Sequence, residues 1–245
     1  MEAIIKNTSI NYDYYNNSSA ISLVFLHGWG QNIEMMLPLA KPFLQKYNCL
    51  LIDLPGFGKS SEPPYPWSLD DYADMLNELL KMLKINKVVI IGHSFGGKIA
   101  LVYALKYKVE KLVILAAPFM QKIKKPTLKM RFYKFVKKTP GLKVFENVVK
   151  KMVGSRDYKN ATPTMRSVLV KHINQDLCDK LSQIKCPTLL IWGTNDAEVS
   201  YEDAKILEKI IPNAGLVTYE GASHYAYLER LQQTIKVFKS FLGSD

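Results

Sequence analysis

Short apolar runs alternate along the chain with longer segments whose apolar residues recur every three or four positions. The short runs end in turn residues, as in "ISLVFLHGWG", "KVVIIG" and "CPTLLIWGTND", a pattern that is typical of buried strands. The longer segments predict amphipathic helices. One of them, "LDDYADMLNELLKML", follows Ser68, a residue type that favours the N-cap of a helix. The alternation predicts βαβ units with a mainly parallel sheet, and therefore the α/β fold class.

The alternation stops after Pro118 and resumes near residue 184. Residues 119–183 have a helical pattern that prolines interrupt, and most of the excess positive charge lies there. Because the strand–helix rhythm returns afterwards, we interpret this segment as an inserted helical cap and not as a separate domain. The predicted architecture is a mostly parallel, doubly wound sheet formed by residues 1–118 and 184–245, with a helical cap of residues 119–183.

Composition narrows the class of protein. The 245 residues are 48% hydrophobic and 22% charged, which is ordinary for a globular protein with a sizeable core. The N-terminus lacks an apolar signal region, and no segment approaches about 18 uninterrupted apolar residues, so we expect neither secretion nor a transmembrane segment. The three cysteines are far apart and form no CxxC pair, so we expect no disulfide framework, no metal site and a cytoplasmic location. No motif predicts a cofactor.

The stretch "GHSFGG" places a G-x-S-x-G pattern, formed by Gly92, Ser94 and Gly96, where an apolar strand turns into an apolar helix. In that setting the pattern is typical of a nucleophile elbow, a strained turn that projects the serine hydroxyl into a cleft. The helix N-terminus would favour a negative charge that develops beside the serine. Ser94 is therefore the candidate nucleophile, against the alternative of a small residue in an ordinary turn.

A serine hydroxyl is a weak nucleophile and needs a base that a third group orients. The chain has four histidines, and His224 is the candidate base because it lies in the loop "EGASHYAYLE" between the last predicted strand and the last helix. His27 lies at a strand end, and His93 directly precedes the serine and should point away from it. His172 lies in the predicted cap, where we expect it to face solvent.

The candidate acid is Asp196, in the loop that follows the strand of "LLIWGTNDAEV". Glu198 lies in the same loop, and Glu202 and Asp203 come shortly after it. We interpret these three as acids at the start of a helix, where the helix dipole favours them. The chain order serine, aspartate, histidine matches one known arrangement of such triads.

An acyl-transfer site also needs donors for a developing oxyanion. One is the backbone N–H of Phe95, directly after the candidate nucleophile. The second is the backbone N–H of Trp29 in "HGWG", where glycines permit close approach, against the alternative of an ordinary turn. The stretch "DLPGFGKSS" contains G-K-S, but Asp53 stands where a phosphate-binding loop needs glycine. We interpret it as a turn that shapes the edge of the cleft.

The net charge of +11 is concentrated in one segment. Residues 120–151 contain eleven Lys or Arg and one acid, Glu146. One interpretation is a solvated, lysine-rich outer face of the cap. The alternative is a docking surface for an anionic partner such as an acyl carrier protein, coenzyme A or an anionic lipid surface. Nucleic acid is the least favoured partner, since no recognition motif accompanies the charge.

These motifs together resemble the α/β-hydrolase superfamily over nearly the whole chain. "HGWG", "DLPGFGKS", "GHSFGG", "WGTND" and "GASHYAYLE" stand in the order of that family. Among subfamilies, "LHGWG" and "DLPGFGKS" resemble pimeloyl-[acyl-carrier protein] methyl ester esterase. The chain is similar as well to other small carboxylesterases, lactonases and meta-cleavage-product hydrolases. Family members that are dehalogenases or epoxide hydrolases use an aspartate at the elbow, and Ser94 argues against both. Family members more often have glycine directly before the base, where this chain has Ser223.

The resulting hypothesis is a serine hydrolase that cleaves a small carboxylic ester or thioester through an acyl-enzyme. Its predicted residues are Ser94, Asp196 and His224, with backbone donors at Trp29 and Phe95. A C–C bond hydrolase or lyase of the same fold is an alternative, because the same triad can instead activate a proton transfer. A non-catalytic, ligand-binding member of the family is a third hypothesis, and the complete triad argues against it.

Overall fold

A single eight-stranded sheet forms the centre of the molecule, which we describe from a computed structural model over residues 1–121 and 156–243. In chain order the strands are β1 Glu2–Ile5, β2 Thr8–Tyr15, β3 Ser22–Leu26, β4 Asn48–Ile52, β5 Val88–His93, β6 Lys111–Leu115, β7 Thr188–Gly193 and β8 Ala214–Tyr219. Their order across the sheet is β1-β2-β4-β3-β5-β6-β7-β8. Strands β3 to β8 are parallel, and β1 and β2 pair antiparallel at one edge. The predicted α/β class with a mainly parallel sheet is confirmed.

Helices cover both faces of this sheet. Numbered through the described residues, they are α1 Leu37–Ala40, α2 Leu69–Met82, α3 Phe95–Lys106, α4 Arg156–Asn160, α5 Pro163–Asn174, α6 Cys178–Leu181, α7 Tyr201–Ile210, α8 Ala226–Glu229 and α9 Leu231–Leu242. Short 3-10 turns also occur at Ile33–Met35 and Lys41–Phe43. Helix α2 begins as predicted after Ser68, whose hydroxyl accepts the N–H of Asp71 while the Asp71 carboxylate accepts the N–H of Ser68.

The core consists of two hydrophobic clusters, one on each face of the sheet. Strand β3 shows the division, because Val24 and Leu26 belong to one cluster whereas Leu23 and Phe25 belong to the other. All of these side chains are buried. Central strands buried on both faces read as continuous apolar runs without alternation, which is why these runs were recognisable in the sequence.

Two local features differ from the sequence prediction. The N-terminal hairpin of β1 and β2 was missed, although buried positions alternate along "TSINYDYY" with the period of a half-buried strand. The segment "IEMMLPLAKPFLQKY" has an apolar pattern that predicts one short helix, but it forms three separate helical turns. Pro38 and Pro42 each stand at the start of one of these turns, because proline suits the first turn of a helix and disrupts its interior.

The predicted cap, residues 119–183, coincides only in part with the described residues. Residues 122–155, which carry most of the basic segment, lie outside them. The docking surface for an anionic partner therefore stays a prediction. The described remainder consists of α4, α5 and α6, so the cap as a unit stays a prediction. No helix in residues 1–121 and 156–243 is both long and apolar enough to span a membrane.

Candidate active site

Ser94 lies in the sharp turn between β5 and α3, at the carboxyl edge of the sheet. Its backbone has φ 51° and ψ −110°, a conformation that residues other than glycine rarely adopt. Its N–H donates to the carbonyl of Leu115 at the end of β6 (2.9 Å), which holds the turn against the neighbouring strand. Strain of this kind persists only where the surrounding structure enforces it, and it is common at functional sites.

The glycines of the elbow are required by close packing. A Cβ on Gly96 would lie 2.4 Å from the carbonyl oxygen of Leu26, and a Cβ on Gly92 would lie 2.5 Å from the carbonyl oxygen of Gly96. Neither distance is possible for a real side chain, and the atoms in the way are backbone atoms that cannot rotate aside. The N–H of Gly96 also donates to the backbone carbonyl of His27 (3.1 Å). Helix α3 therefore begins directly against the end of β3.

Asp196 and His224 are brought together by two neighbouring loops at the same edge. Asp196 follows β7, and His224 lies in the loop between β8 and α8. Asp196 Oδ2 lies 2.8 Å from His224 Nδ1, and both side chains are buried. The backbone N–H of Asn195 donates to the carbonyl of Ala222 (3.0 Å), which ties the two loops to each other.

The second oxygen of Asp196 is also occupied. Oδ1 accepts the backbone N–H groups of Glu198 and Val199, each at 2.8 Å. A carboxylate that accepts two backbone donors keeps its orientation, so Oδ2 is held toward the imidazole. In the neutral ring this arrangement selects the tautomer with the proton on Nδ1, so that Nε2 is the nitrogen that can accept a proton.

The pairing between Ser94 and His224 is less complete than the sequence suggested. Within the described part of the chain, no hydrogen bond joins Ser94 Oγ to His224 Nε2. Instead, Nε2 lies 3.4 Å from Oε2 of the exposed Glu198. Glu198 was predicted to be a helix-start acid, and that prediction was wrong: helix α7 begins after the N-cap Ser200. Glu202 and Asp203 do lie in its first turn, as predicted.

The side chains of the two candidate oxyanion residues lie side by side. The rings of Trp29 and Phe95 pack edge to face with their centroids 5.3 Å apart, which places the "HGWG" loop against the start of α3. No backbone carbonyl of the described residues accepts the N–H of Trp29 or of Phe95. Both amides are thus unpaired beside the elbow, as donors for a substrate oxygen would need to be.

His27 and His93 are both fully buried, and neither is placed to act as a base. Burial lowers the pKa of His27 to about 4 and that of His93 to about 3. His27 Nε2 accepts the N–H of Leu54 (2.9 Å), so its proton lies on Nδ1 and is donated to Gly28 (2.7 Å). His93 Nε2 contacts the carbonyl oxygen of His224 (3.1 Å). The side chain of His93 is therefore turned towards the loop of the candidate base. This agrees with the prediction that it points away from Ser94.

Gln31 joins the loops of the site, and the sequence analysis missed it. Its Oε1 accepts the N–H of Gly28 (2.9 Å), and its Nε2 donates to the hydroxyl of Tyr225 (3.1 Å). Tyr225 directly follows His224. One side chain thus connects the "HGWG" loop with the loop of the candidate base. A polar residue directly after "HGWG" was the only signal in the sequence.

Asp53 organises the turn "DLPGFGKSS", for which a role at the edge of the cleft was predicted. Its Oδ1 accepts the N–H of Ile33 (2.8 Å), and its Oδ2 accepts the side-chain amide of Asn11 and the N–H of Lys59, both at 2.8 Å. These bonds connect the loops that follow β3 and β4 with strand β2. The Asp53 carboxylate thus holds these loops and the strand together. A phosphate-binding loop would need glycine at this position.

The prediction that His172 faces solvent was wrong. Helix α5 buries this side chain against the start of α3. Its ring packs edge to face on Phe95 at 4.8 Å between centroids. The ammonium of Lys98, which is 1% exposed, donates to the carbonyls of His172 (2.7 Å) and Gln175 (2.6 Å) at the C-terminus of α5. Burial lowers the pKa of Lys98 to about 8 and that of His172 to about 3. A buried lysine thus attaches α5 to the helix that follows Ser94.

A cavity of about 360 Å³ lies next to the "HGWG" loop. Trp29, Gly30, Gly56, Phe57, Glu62, Asp157, Asn160, Ala161, Thr162 and Met165 line it. It is bounded on one side by the core and on the other by α4 and the start of α5. No group of three or more His, Cys, Asp or Glu side chains in the described ranges is arranged to hold a metal ion.

Comparison with family models and with individual proteins finds similarity over most of the chain. A family described as alpha/beta hydrolase fold matches residues 21–147, and one described as TAP-like protein matches residues 168–243. Lipase 1 of Psychrobacter immobilis is 26% identical over 256 residues, which cover 94% of this chain and 79% of the lipase. The proline iminopeptidase of Saccharolobus solfataricus is 25% identical over 280 residues, covering 96% and 89% of the two chains.

Among solved structures, MGS-M2, described as an alpha/beta hydrolase enzyme from a Medee basin deep-sea metagenome library, superimposes with a TM-score of 0.80. The alignment covers 100% of this chain and 98% of that one at 19% identity. A likeness at this identity concerns the fold. The narrower resemblance to pimeloyl-[acyl-carrier protein] methyl ester esterase stays a prediction.

Proposed function

The chain belongs to the α/β-hydrolase fold family, and from that premise we propose that it is a serine hydrolase that cleaves a small carboxylic ester or thioester through an acyl-enzyme. One observation carries this proposal. The buried contact of 2.8 Å between Asp196 Oδ2 and His224 Nδ1 lies at the same sheet edge as the strained turn of Ser94. A buried carboxylate that orients an imidazole, at the same edge as a partly exposed serine, is what nucleophilic acyl transfer requires.

In the proposed acylation step, Ser94 Oγ attacks the carbonyl carbon of the substrate while His224 Nε2 takes the hydroxyl proton. Asp196 stabilises the resulting imidazolium through Nδ1 without taking the proton itself. The tetrahedral intermediate collapses as the bond between carbon and leaving group breaks, and the leaving group receives the proton from Nε2. Water then repeats the sequence on the acyl-enzyme and releases the acid.

The backbone N–H groups of Trp29 and Phe95 are the proposed donors to the oxyanion. Their support is that both lie beside the elbow without a backbone acceptor in the described structure. Removal of one such donor typically costs about 10²–10³ in kcat. Since Ser94 Oγ and Nε2 are not hydrogen-bonded, we expect the two to approach when substrate binds, as catalytic contacts often tighten only in the complex.

Helix α5 is the proposed roof of the cleft, which the predicted cap of residues 119–183 would complete. Its support is the contact of His172 with Phe95 and the bonds from Lys98. The cavity beside Trp29 is a candidate site for the acyl group because Trp29, one of the two proposed oxyanion donors, lines it. Docking of an acidic carrier on residues 120–151 stays a prediction.

The test combines labelling with turnover. We expect a fluorophosphonate to label wild type at Ser94 stoichiometrically and wild type to hydrolyse p-nitrophenyl esters of short or medium acids. Ser94→Ala should abolish both, and His224→Ala should abolish turnover. Ser240→Ala, which removes an exposed hydroxyl in α9, is the matched control and should behave as wild type.

The survey of p-nitrophenyl esters should be extended to lactones, acyl thioesters, a prolyl amide and a vinylogous diketone that only C–C cleavage consumes. Fastest turnover of the amide or the diketone would replace the ester assignment. Labelling of Ser94 without turnover of any substrate would favour the non-catalytic, ligand-binding alternative.

A further inference from the structure

The exposed carboxylate of Glu198 lies beside the base nitrogen of the site. Its Oε2 is 3.4 Å from His224 Nε2, the ring nitrogen that Asp196 does not contact. The Glu198 side chain is 64% exposed, so it borders both the imidazole and the solvent. No lysine or arginine of the described residues forms an ion pair with it.

The turn that carries Glu198 is held at both ends. The Glu198 N–H and the Val199 N–H both donate to Asp196 Oδ1 at 2.8 Å. The carbonyl of Val199 accepts the indole N–H of the buried Trp192 at 2.9 Å. The backbone of Glu198 is thus fixed relative to the same aspartate that orients the base.

The chemistry of acyl transfer places the leaving group in this region. In the proposed mechanism the leaving-group oxygen or sulfur receives its proton from Nε2, so it must come within hydrogen-bond distance of that nitrogen. A carboxylate that already lies 3.4 Å from Nε2 is therefore adjacent to whatever the leaving group bears next to that atom. The acyl portion, attached to Ser94, lies on the other side of the scissile bond.

We propose that Glu198 is a specificity-determining residue that favours esters whose leaving group carries a cationic ammonium a few bonds from the ester oxygen, as in esters of amino alcohols. This inference rests on the proposed function, since it assigns the leaving-group side of the same site. An ammonium would meet an oxygen anion there, whereas a leaving group with a nearby negative charge would be repelled.

The size of the effect follows from the exposure of Glu198. Ion pairs between solvent-exposed groups contribute little, so we expect a preference of about three- to fivefold in kcat/KM and not orders of magnitude. The preference should decline as salt rises from about 0.02 M to about 0.5 M, because screening weakens exposed charge pairs. A contribution from shape alone would not respond to salt.

The experiment compares two esters of the same shape and different charge. One is the choline ester, and the other is the 3,3-dimethylbutyl ester, whose quaternary carbon replaces the ammonium nitrogen. Both carry the acyl group that the survey of p-nitrophenyl esters finds fastest. We expect the ratio of kcat/KM, choline over dimethylbutyl, to fall three- to fivefold in Glu198→Gln and to fall in wild type when salt is added.

Glu202→Gln is the matched control. It removes a negative charge of the same type four residues along the chain, at an exposed position next to Lys205. Its ratio should stay within about 1.5-fold of wild type, given that an exposed charge farther away is screened. Fluorophosphonate labelling of each variant reports that the nucleophile and base remain intact.

An unchanged ratio in Glu198→Gln, with Ser94 still labelled and both esters turned over, would overturn this inference and leave the proposed function standing. Equal changes in the two glutamine variants would overturn it too, because they would indicate the general field of the protein. If wild type is neither labelled nor active on any ester, the inference falls together with the proposed function.

Discussion

His93 Nε2 lies 3.1 Å from the backbone carbonyl oxygen of His224. The residue before the candidate nucleophile is thus bonded to the residue that carries the candidate base. Because burial lowers the pKa of His93 to about 3, its ring is neutral at pH 7 and has a single N–H. We assign that proton to Nε2, the nitrogen with the closer acceptor, since Nδ1 is 3.3 Å from Gln31 Oε1. His93 is then a positioning residue for the loop of the base.

Replacement of His93 by Phe should lower kcat about tenfold with little change in KM. Phe keeps the ring contacts with His224, Tyr225 and Tyr227 but leaves the His224 carbonyl without its donor. Loss of a buried hydrogen-bond partner costs about 1–3 kcal/mol. Because the loop of the base would then be held less firmly, we expect this cost to slow the chemical step. Steady-state kinetics with a p-nitrophenyl ester measure the split.

His93→Gln supplies the control, because its side-chain amide can restore an N–H donor near the position of Nε2. We expect it to recover a substantial part of kcat. Equal losses in the Phe and Gln variants, or a loss confined to thermal stability, would mean that His93 only fills the core.

Replacement of Asp196 by Asn should reduce kcat by roughly 10⁴-fold if the carboxylate acts by orienting and stabilising the imidazole. The Asn oxygen can still accept the N–H groups of Glu198 and Val199, so the turn should survive. The amide would then present N–H to His224 Nδ1 and select the wrong tautomer. Kinetics and denaturation of the same preparation separate the two effects, and activity above a tenth of wild type would place the acid elsewhere.

The sequence could predict the candidate triad because each of its members is local to the end of one strand. Parallel strands bring their carboxyl ends to one edge, so a serine after β5, an acid after β7 and a histidine after β8 are expected at the same edge once the strands are recognised. Recognition was reliable for the central strands, whose runs are wholly apolar. It failed for β1 and β2, which are half-exposed and at the edge.

What could not be predicted depends on side chains that meet across long separations. Glu198 looked like a helix-start acid because its contact with His224 arises only from the turn that Asp196 fixes. His172 looked like a surface residue of a cap because it is buried against residues far away in the sequence, with its ring on Phe95 and its carbonyl bonded by Lys98, 74 positions away. One signal was present: Lys98 is the only charged residue in the interior of the otherwise apolar "GGKIALVYAL".

Replacement of Gly96 by Ala should impair both folding and activity. The new Cβ would lie 2.4 Å from the carbonyl oxygen of Leu26 and 2.5 Å from that of His27. Helix α3 would have to move away from β3 and take the Phe95 N–H with it. We expect a loss of stability of about 1–3 kcal/mol, in the range for overpacking, and a loss of kcat in whatever protein folds.

Gly215→Ala is the matched control, because a Cβ there meets no atom within 4 Å. Denaturant unfolding and kinetics on both variants make the comparison. If Gly96→Ala were as stable and active as Gly215→Ala, the close approach of α3 and β3 would not be needed to hold the elbow.

Stability should fall as the pH drops below about 6.5, because His27, His93 and His172 are buried as neutral rings. Burial lowers their pKa values from 6.5 to about 4, 3 and 3. Between pH 6.5 and about 4 the unfolded chain therefore binds protons that the folded chain does not. The stabilisation is fully present above pH 6.5 and is lost progressively as the pH falls towards the folded pKa values.

Each such proton contributes about 1.4 kcal/mol per pH unit to the slope, so the three histidines give a slope near 4 kcal/mol per unit around pH 5. Urea unfolding at several pH values from 7.5 to 5 measures it. His172→Phe keeps a ring against Phe95 and removes one titrating group, so its slope should be smaller by about a third. A wild-type slope equivalent to less than one proton over this range would mean that these rings gain protons in the folded state, and the burial on which the prediction rests would have to be given up.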